Sequence, residues 1–226
     1  MTEAKPRIAV VVFPGSNDDR DAALALESLG ADPVLHWHGD GALPDVGAVV
    51  LPGGFSYGDY LRAGAIARFS PAMKAVAEFA AEGGPVLGIC NGFQVLCEAG
   101  LLPGALLRNE SLRFICRQVD LLEVDGPKSR DIGDKSARRL SIPAKHGEGR
   151  YYAPEAMLDE LEAKGQVAYR YAEGHNSNGS ARDIAGVTNE AGNVLGLMPH
   201  PEHAVDPLTG SVDGLRIFER MSKVAI

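Results

Sequence analysis

Short apolar runs alternate along the chain with stretches in which apolar residues recur every three or four positions. Short runs bounded by turn residues are typical of buried strands, and the longer period is typical of amphipathic helices. The predicted strands are Arg7–Phe13, Pro33–Trp37, Val46–Leu51, Pro85–Ile89, one or two within Arg113–Val124, a short one within Ile142–Tyr151, Val167–Tyr171, Ile184–Thr188 and Val194–Met198. The predicted helices are Asp19–Leu29, Ser70–Ala81, Asn91–Ala99, Pro154–Ala163 and Asp213–Met221.

The order of these elements predicts an α/β fold. Strands that alternate with helices through short loops pair in parallel, with right-handed crossovers. We therefore expect a doubly wound, mostly parallel sheet flanked by helices, with a small antiparallel extension after residue 113, in a single domain over residues 1–226. Ser16 or Asn17 is the expected N-cap of the first helix. The polar stretch Lys128–Arg139 is expected to form an exposed loop.

The segment Gly88-Ile89-Cys90-Asn91-Gly92 joins a predicted strand to a predicted helix. This G-x-C-x-G spacing is the thiol version of the sharp turn that exposes a nucleophile in hydrolases. A side chain at either glycine would collide with the turn, and the N-terminus of the following helix favours a thiolate at Cys90. The N–H of Asn91 then faces an oxyanion on the attacked carbon, with Gly53 or Gly54 of a glycine-rich loop as the second donor. A small buried cysteine at a tight turn, and a plain flexible loop at Gly53-Gly54, are the alternative interpretations.

A second motif, Pro199-His200-Pro201-Glu202, follows the last predicted strand. In an extended segment, side chains two positions apart point the same way, so Glu202 is expected to accept a hydrogen bond from one nitrogen of His200. The other nitrogen is left to take a proton from a thiol. Because Cys90, Gly54 and His200 all follow strands, they are expected to meet at the carboxyl edge of the sheet as a Cys-His-Glu triad.

Composition narrows the classes of function. The net charge of −8 argues against general nucleic-acid binding. The apolar runs are too short to span a membrane, and three cysteines without a C-x-x-C pair indicate a reducing compartment, so we expect a cytoplasmic protein. No metal site is expected, since His36 and His38 lack partners at ligand spacing.

Together, the motifs around Cys90 and His200 resemble those of the class I glutamine amidotransferases, which have a flavodoxin-like fold. Three further segments narrow the resemblance to the glutaminase subunits of phosphoribosylformylglycinamidine synthases. They are Leu51-Pro-Gly-Gly-Phe-Ser-Tyr-Gly-Asp59, His146-Gly-Glu-Gly-Arg150 and Asn176-Ser-Asn-Gly-Ser180. Ser177 departs from the proline expected at its position, which is expected to loosen a turn.

The resemblance implies that the chain hydrolyses glutamine to glutamate and ammonia. Cys90 is then the nucleophile, His200 the base and Glu202 its orienting partner. Gln94 is implied to hold the substrate, and the segment containing His146, Gly149 and Arg150 to hold its amino-acid end.

The same resemblance implies that the ammonia passes to a large ATP-dependent synthetase subunit, often with a third small subunit. The synthetase converts formylglycinamide ribonucleotide to formylglycinamidine ribonucleotide in purine biosynthesis. ATP and Mg²⁺ belong to that subunit, and no cofactor is expected on this chain.

Three alternatives remain open from the residues. A cysteine hydrolase or deglycase of related fold would carry histidine directly after the elbow cysteine, where this chain has Asn91. A non-catalytic regulatory subunit would tend to lose the cysteine or the histidine. An amidotransferase for another acceptor, such as one of the guanylate or imidazole-glycerol pathways, would differ in its partner and share the chemistry.

Overall fold

The computed structural model describes residues 5–124 and 138–224. The predicted loop Lys128–Arg139 therefore lies outside the described residues except for its last two positions, and Arg139 begins a strand. No helix in the described ranges is long and apolar enough to cross a membrane.

The strands and helices follow the predicted order. The strands are β1 Arg7–Val12, β2 Asp32–Trp37, β3 Ala48–Leu51, β4 Val86–Ile89, β5 Ala105–Leu107, β6 Ile115–Glu123, β7 Arg139–His146, β8 Arg150–Tyr152, β9 Val167–Tyr171, β10 Ile184–Thr188 and β11 Val194–Leu197. The helices are α1 Asp19–Ser28, α2 Pro71–Ala81, α3 Asn91–Glu98, α4 Glu155–Ala163 and α5 Leu215–Val224. Two differences stand out: the short strand β5 has no counterpart in the sequence prediction, and the single short strand predicted within Ile142–Tyr151 is two strands, β7 and β8.

Within the described residues, nine strands form one sheet in the order β2-β1-β3-β4-β11-β10-β9-β6-β7. The first five are parallel, and the antiparallel extension continues from β11 through β10, β9, β6 and β7. Strands β5 and β8 form a separate antiparallel pair. The predicted α/β architecture with an antiparallel extension is confirmed.

Burial explains why the central parallel strands could be predicted from the sequence. All residues of β3 and β4 are buried, and Ile8–Val11 of β1 have no exposed surface. Strands covered on both faces need continuous apolar runs, since an alternating pattern would bury polar groups. Helix α1 contacts β1, β2 and α5, while α3 contacts β3, β4 and β11.

The predicted N-cap of α1 is wrong. The residue flanking the helix is Asp18, and its side chain makes no capping hydrogen bond. Ser16 Oγ instead accepts from the N–H of Phe13 at 2.9 Å, within the turn after β1. The Asp18 carboxylate is bound by Lys145, a distant residue that local capping rules do not include.

Candidate active site

Cys90 stands between β4 and α3 with φ +49° and ψ −102°. A residue other than glycine in such a conformation costs about 1–3 kcal/mol and persists only where its surroundings fix it. A Cβ at Gly88 would lie 2.5 Å from Leu96 Cδ1, and one at Gly92 would lie 2.0 Å from the carbonyl oxygen of Leu51. The predicted elbow is therefore present, and both glycines are needed for its close packing.

The elbow presents Cys90 to a cavity of about 330 Å³ at the carboxyl edge of the parallel strands. Only 6% of the cysteine is exposed, and its thiol donates to the carbonyl oxygen of Lys145 with Sγ 3.8 Å away. The cavity is lined by Asn17, Asp18, Gly54, Phe55, Asp59, Cys90, Gln94, Phe114, Lys145, His146, Gly147, Glu148 and His200. Cys90 is thus buried but not sealed in the core.

Strand pairing brings His200 to the elbow. Leu197 of β11 is in register with Ile89 of β4, and the N–H of Cys90 donates to the carbonyl oxygen of Leu197 at 2.8 Å. His200 follows three positions later, and its backbone N–H donates to the carbonyl oxygen of Pro143 at 2.8 Å. The predicted meeting of Cys90, Gly54 and His200 at one edge of the sheet is confirmed by the cavity that all three line.

His200 Nδ1 lies 2.6 Å from Glu202 Oε1, as the sequence predicts. His200 itself is extended, with φ −103° and ψ 92°, but the extended backbone predicted as far as Glu202 is wrong, because Pro201–His203 forms a 3₁₀ turn. Proline at the first position of that turn favours helical backbone, and the tight turn brings the two side chains together. Glu202 is fully buried, so its interaction with the imidazole is screened little by water.

The charges around His200 favour its protonated form. Burial acts to lower the pKa of His200, but the charge of Glu202, the charge of Cys90 and hydrogen bonds to both outweigh it, so the pKa is well above its usual value. Nε2 of His200 is buried without a well-aligned hydrogen-bond partner among the described residues. This nitrogen is available for proton exchange with the thiol.

The three predicted oxyanion donors, Asn91, Gly53 and Gly54, differ in their placement relative to the cavity. Asn91 is the first residue of α3, where a helix leaves its N–H without an intrahelical acceptor. Gly54 lines the cavity, whereas Gly53 packs beneath His200, where a Cβ would lie 2.6 Å from the imidazole Cε1. Of the two glycines, Gly54 is therefore better placed to face a bound substrate.

Gln94 and His146 line the cavity with Cys90. Gln94 accepts from Asn91 Nδ2 at 2.9 Å and donates to the carbonyl oxygen of Glu148 at 2.6 Å, which fixes its amide. Burial and the nearby charge of His200 lower the pKa of His146 to about 4, so this imidazole is neutral at pH 7. Its Nδ1 lies 3.0 Å from Asn109 Oδ1 and, in the neutral ring, donates to it.

Gly149 and Arg150 lie outside the lining of the cavity. The N–H of Gly149 donates to Asn109 Oδ1 at 3.1 Å, and Arg150 begins β8. Their neighbours Gly147 and Glu148 line the cavity instead. The substrate-binding role expected for Gly149 and Arg150 stays a prediction.

Sequence reasoning missed Asp18 and Lys145. Asp18 follows β1 as Gly54 follows β3, so the rule that sites form at strand carboxyl ends already pointed to it. Lys145 lies on β7, far along the chain, and its Nζ is 2.6 Å from Asp18 Oδ1. Nothing in the local sequence pattern marks that pairing.

Asp18, His200, Glu202 and His203 place one potential metal-ligand atom each within 4.8 Å of the others. The Lys145 ammonium contacts Asp18 Oδ1, and His200 Nδ1 contacts Glu202 Oε1. A cation bound among these side chains would compete with both interactions. The expectation that the chain carries no metal stays a prediction.

The turn at Ser177 is well supplied with hydrogen bonds. Asn176 Oδ1 accepts from the N–H groups of Gly179 and Ser180 at 3.1 and 3.0 Å. The N–H of Ser177 donates to the carbonyl oxygen of His175 at 2.9 Å, a bond that proline could not make.

Comparison with known proteins agrees with this geometry. Residues 5–221 match the family described as CobB/CobQ-like glutamine amidotransferase domain. The phosphoribosylformylglycinamidine synthase subunit PurQ of Frankia casuarinae is 60% identical over 222 residues, which cover 96% of this chain and 94% of that relative. The corresponding subunit of Mycobacterium tuberculosis is 59% identical over 213 residues, covering 94% of each chain.

Solved structures give the same result. A chain in the structure of PurLQS from Thermotoga maritima is similar with a TM-score of 0.88 and 45% identity, over 97% of this chain and 99% of that one. A putative GMP synthase subunit from Thermoplasma acidophilum has a TM-score of 0.67 at 15% identity, over 99% and 96% of the two chains, and shows the shared fold alone. The chain therefore belongs to the CobB/CobQ-like glutamine amidotransferase domain family and, within it, to the PurQ subunits of phosphoribosylformylglycinamidine synthase.

Proposed function

We propose that this glutamine amidotransferase subunit of purine biosynthesis hydrolyses glutamine through Cys90, His200 and Glu202. The observation that carries the proposal is the 2.6 Å contact between His200 Nδ1 and Glu202 Oε1 beside a cavity that also contains the Cys90 thiol. A nucleophile, its base and the group that orients the base are thereby held at one end of the sheet.

The first half-reaction forms a thioester. His200 Nε2 takes the thiol proton, and the resulting Cys90 thiolate, paired with the imidazolium, attacks the side-chain amide carbon of glutamine. The N–H groups of Asn91 and Gly54 stabilise the negative charge that develops on the amide oxygen. The intermediate collapses when His200 returns a proton to the leaving nitrogen, and ammonia departs.

The second half-reaction releases glutamate. Water attacks the thioester carbon, His200 accepts its proton, and the Sγ–C bond breaks. Glu202 keeps Nδ1 bound throughout, so the imidazole exchanges protons through Nε2. The fixed amide of Gln94 and the neutral imidazole of His146 position the substrate beside the sulfur. Backbone of the segment from His146 to Arg150, in which Gly147 and Glu148 line the cavity, holds the amino-acid end of glutamine.

The ammonia is passed to an ATP-dependent synthetase subunit that makes formylglycinamidine ribonucleotide from formylglycinamide ribonucleotide. The names of the relatives and the assembly named for the Thermotoga maritima structure support this partner. ATP and Mg²⁺ are used by the synthetase, and a third small subunit completes the assembly. The chain then works as the ammonia source of a larger enzyme.

Glutamine turnover with and without the purified synthetase tests the transfer. We expect slow hydrolysis by the isolated chain, a faster rate with the synthetase and its ribonucleotide substrate, and co-purification of the two proteins. Equal rates in both conditions, with no association, would contradict the proposed partnership. Hydrolysis that persists in Cys90→Ala would contradict the proposed chemistry independently of the partner.

A further inference from the structure

Asp18 borders the cavity, but the proposed mechanism gives it no role. It is 4% exposed and lies against Gly53, where a Cβ would be 2.4 Å from Asp18 Oδ2 and 2.6 Å from His200 Cε1. A buried carboxylate is costly unless charged or hydrogen-bonding groups compensate it. The contacts of this carboxylate therefore indicate what it does.

The Asp18 carboxylate faces the nitrogen of His200 that also contacts Glu202. Oδ2 of Asp18 is 3.5 Å from His200 Nδ1, and Glu202 Oε1 is 2.6 Å from the same atom. The other oxygen of Asp18 is 2.6 Å from Lys145 Nζ and 3.2 Å from His203 Nε2. Two carboxylates thus face the same imidazole nitrogen, and only one of them belongs to the triad.

Lys145 links this second carboxylate to the nucleophile. Its ammonium contacts Asp18, while its backbone carbonyl oxygen accepts from the Cys90 thiol, with Sγ 3.8 Å away. The side chain is 32% exposed and lines the cavity. Lys145 therefore contacts the Cys90 thiol through its backbone carbonyl and the Asp18 carboxylate through its ammonium group.

We propose that Asp18 is a positioning residue for His200, with Lys145 as its counter-ion, and that this ion pair sets the orientation and charge of the imidazole. The inference rests on the proposed role of His200 as the base. The gap between Asp18 and Nδ1 is longer than the hydrogen bond to Glu202, so Asp18 acts through its charge and through the packing of Gly53.

The electrostatics agree with this arrangement. Burial raises the pKa of Asp18, but the hydrogen bond with His203, the charge of His200 and the ion pair with Lys145 outweigh it and hold the pKa well below its usual range. Asp18 is thus a fixed negative charge at neutral pH, and by reciprocity it favours imidazolium at His200. The groups that face the imidazole are Glu202 and His203 from its own segment, Cys90 from the elbow, His146 and Lys145 from β7, and Asp18.

Titration of His200 by NMR tests the proposal on the full chain without requiring turnover. Histidine-labelled protein contains six imidazoles, and the signal missing from His200→Gln assigns the one of interest. We expect Asp18→Asn to lower the titration midpoint of His200 by about one pH unit or more, because a charge 3.5 Å from Nδ1 in a buried site is screened little by water. Lys145→Met should raise the midpoint by a similar amount, because it leaves the negative charge of Asp18 uncompensated.

The double variant Asp18→Asn with Lys145→Met removes both charges and should return the midpoint close to that of the parent protein. The alkaline limb of kcat/KM against pH should shift in the same directions. Glu162 lies on α4, away from the cavity, and forms an ion pair of 2.9 Å with Arg170 of β9. Glu162→Gln breaks that pair and serves as the matched control, with no expected shift in the titration midpoint of His200.

An unchanged midpoint in both folded single variants, or shifts of the same sign, would overturn the proposal. Neither result would affect the proposal that Cys90 and His200 hydrolyse glutamine, since labelling of Cys90 tests that chemistry separately. Because the two substitutions are expected to act in opposite directions, a general loosening of the site cannot imitate the predicted pattern.

Discussion

Two regions border the same cavity and are held together by different forces. The elbow region, residues 86–98, is packed through backbone and apolar atoms, and its geometry depends on the absence of side chains at two glycines. The amide cluster, which we define as Asn109, His146, Asn178 and Ser180, is buried and polar. Its members bind one another or the backbone of residues 146–151.

The contrast shows what local sequence can specify. The turn at the elbow is marked by glycines close to Cys90 in sequence, so their spacing predicts it, although the space at Gly92 is limited by Leu51 of the neighbouring strand. Most bonds of the amide cluster join residues about thirty to forty positions apart, such as Asn178 with Gly149 and Asn109 with Gly149, and no spacing rule contains those pairs. The nucleophile is therefore predictable from a short motif, whereas the opposite wall depends on tertiary structure.

Substitution of Gly92 by alanine should have the largest effect on stability. The new Cβ would lie 2.0 Å from the carbonyl oxygen of Leu51, and neither backbone segment can move without disturbing β3 or α3. We expect a loss of about 3 kcal/mol or more in the free energy of unfolding, measured by urea denaturation, with loss of glutamine hydrolysis.

Gly100→Ala is the matched control at the other end of the same helix. A Cβ there meets nothing within 4 Å, although φ is +71°. Only the conformational penalty of about 1–2 kcal/mol is expected. Equal costs at the two glycines would contradict the steric account of the elbow.

Asn109→Ala should damage the amide cluster while leaving the elbow intact. Asn109 has no exposed surface, and its amide makes hydrogen bonds with Arg113, His146 and Gly149. Loss of these bonds leaves buried polar groups unpaired, so we expect a cost of about 2–4 kcal/mol in thermal or urea unfolding.

In Asn109→Ala, the reactivity of Cys90 distinguishes damage to the amide cluster from damage to the elbow region. Alkylation of Cys90, followed by peptide mass spectrometry, should proceed at the parental rate in Asn109→Ala, while KM for glutamine rises. Gln118→Ala is the control, because that amide is exposed and its side-chain partner within the described residues is Ser141, and it should change stability by less than about 0.5 kcal/mol. A large drop in Cys90 reactivity would show that the two regions are not independent.

Asp59 lies where the two regions face each other and gives a pH-dependent test. Burial and the charge of Glu148 raise the pKa of Asp59 to about 6. The folded state therefore holds this proton more tightly than the unfolded chain, and stability should fall as pH rises from about 4 to 6.

Asp59→Asn should remove that dependence, and asparagine tolerates the φ of +54° at this position. Because the carboxyl group is only partly buried, we expect a gain of roughly 1 kcal/mol, or about 2–4 °C in Tm, at pH 8 and none near pH 4. Scanning calorimetry at both pH values would detect this difference. A gain of the same size at both would refute the electrostatic explanation.

Ser70→Ala should have a small effect on stability and none on activity, and it tests a helix start that was predicted directly from sequence. Ser70 Oγ accepts from the N–H of Met73 at 3.3 Å and caps α2. Removal of an N-cap costs about 1 kcal/mol, and urea unfolding should show that loss with unchanged glutamine turnover. A change in kcat would indicate that α2 contributes to the site.

The fold was largely predictable because its central parallel strands, such as β3 and β4, are buried along their whole length and its helices carry clear stop signals. Cys90, His200 and Glu202 were found because each sits in a short motif at a strand end. The 3₁₀ turn at Pro201 was missed, since prolines on either side of His200 suit extended backbone as well as the first turn of a helix. Asp18, Lys145 and Asn109 were missed because their partners lie elsewhere in the chain.

The central claim is that a thiol activated by His200 attacks the glutamine amide carbon. The most direct measurement is peptide mass spectrometry after incubation with a diazo-ketone analogue of glutamine, which traps the nucleophile covalently. The account predicts one adduct, on Cys90, that is absent or greatly slowed in His200→Ala while exposed Cys116 stays unlabelled. Labelling of another residue, or equal labelling of Cys90 in parent and His200→Ala proteins, would contradict it.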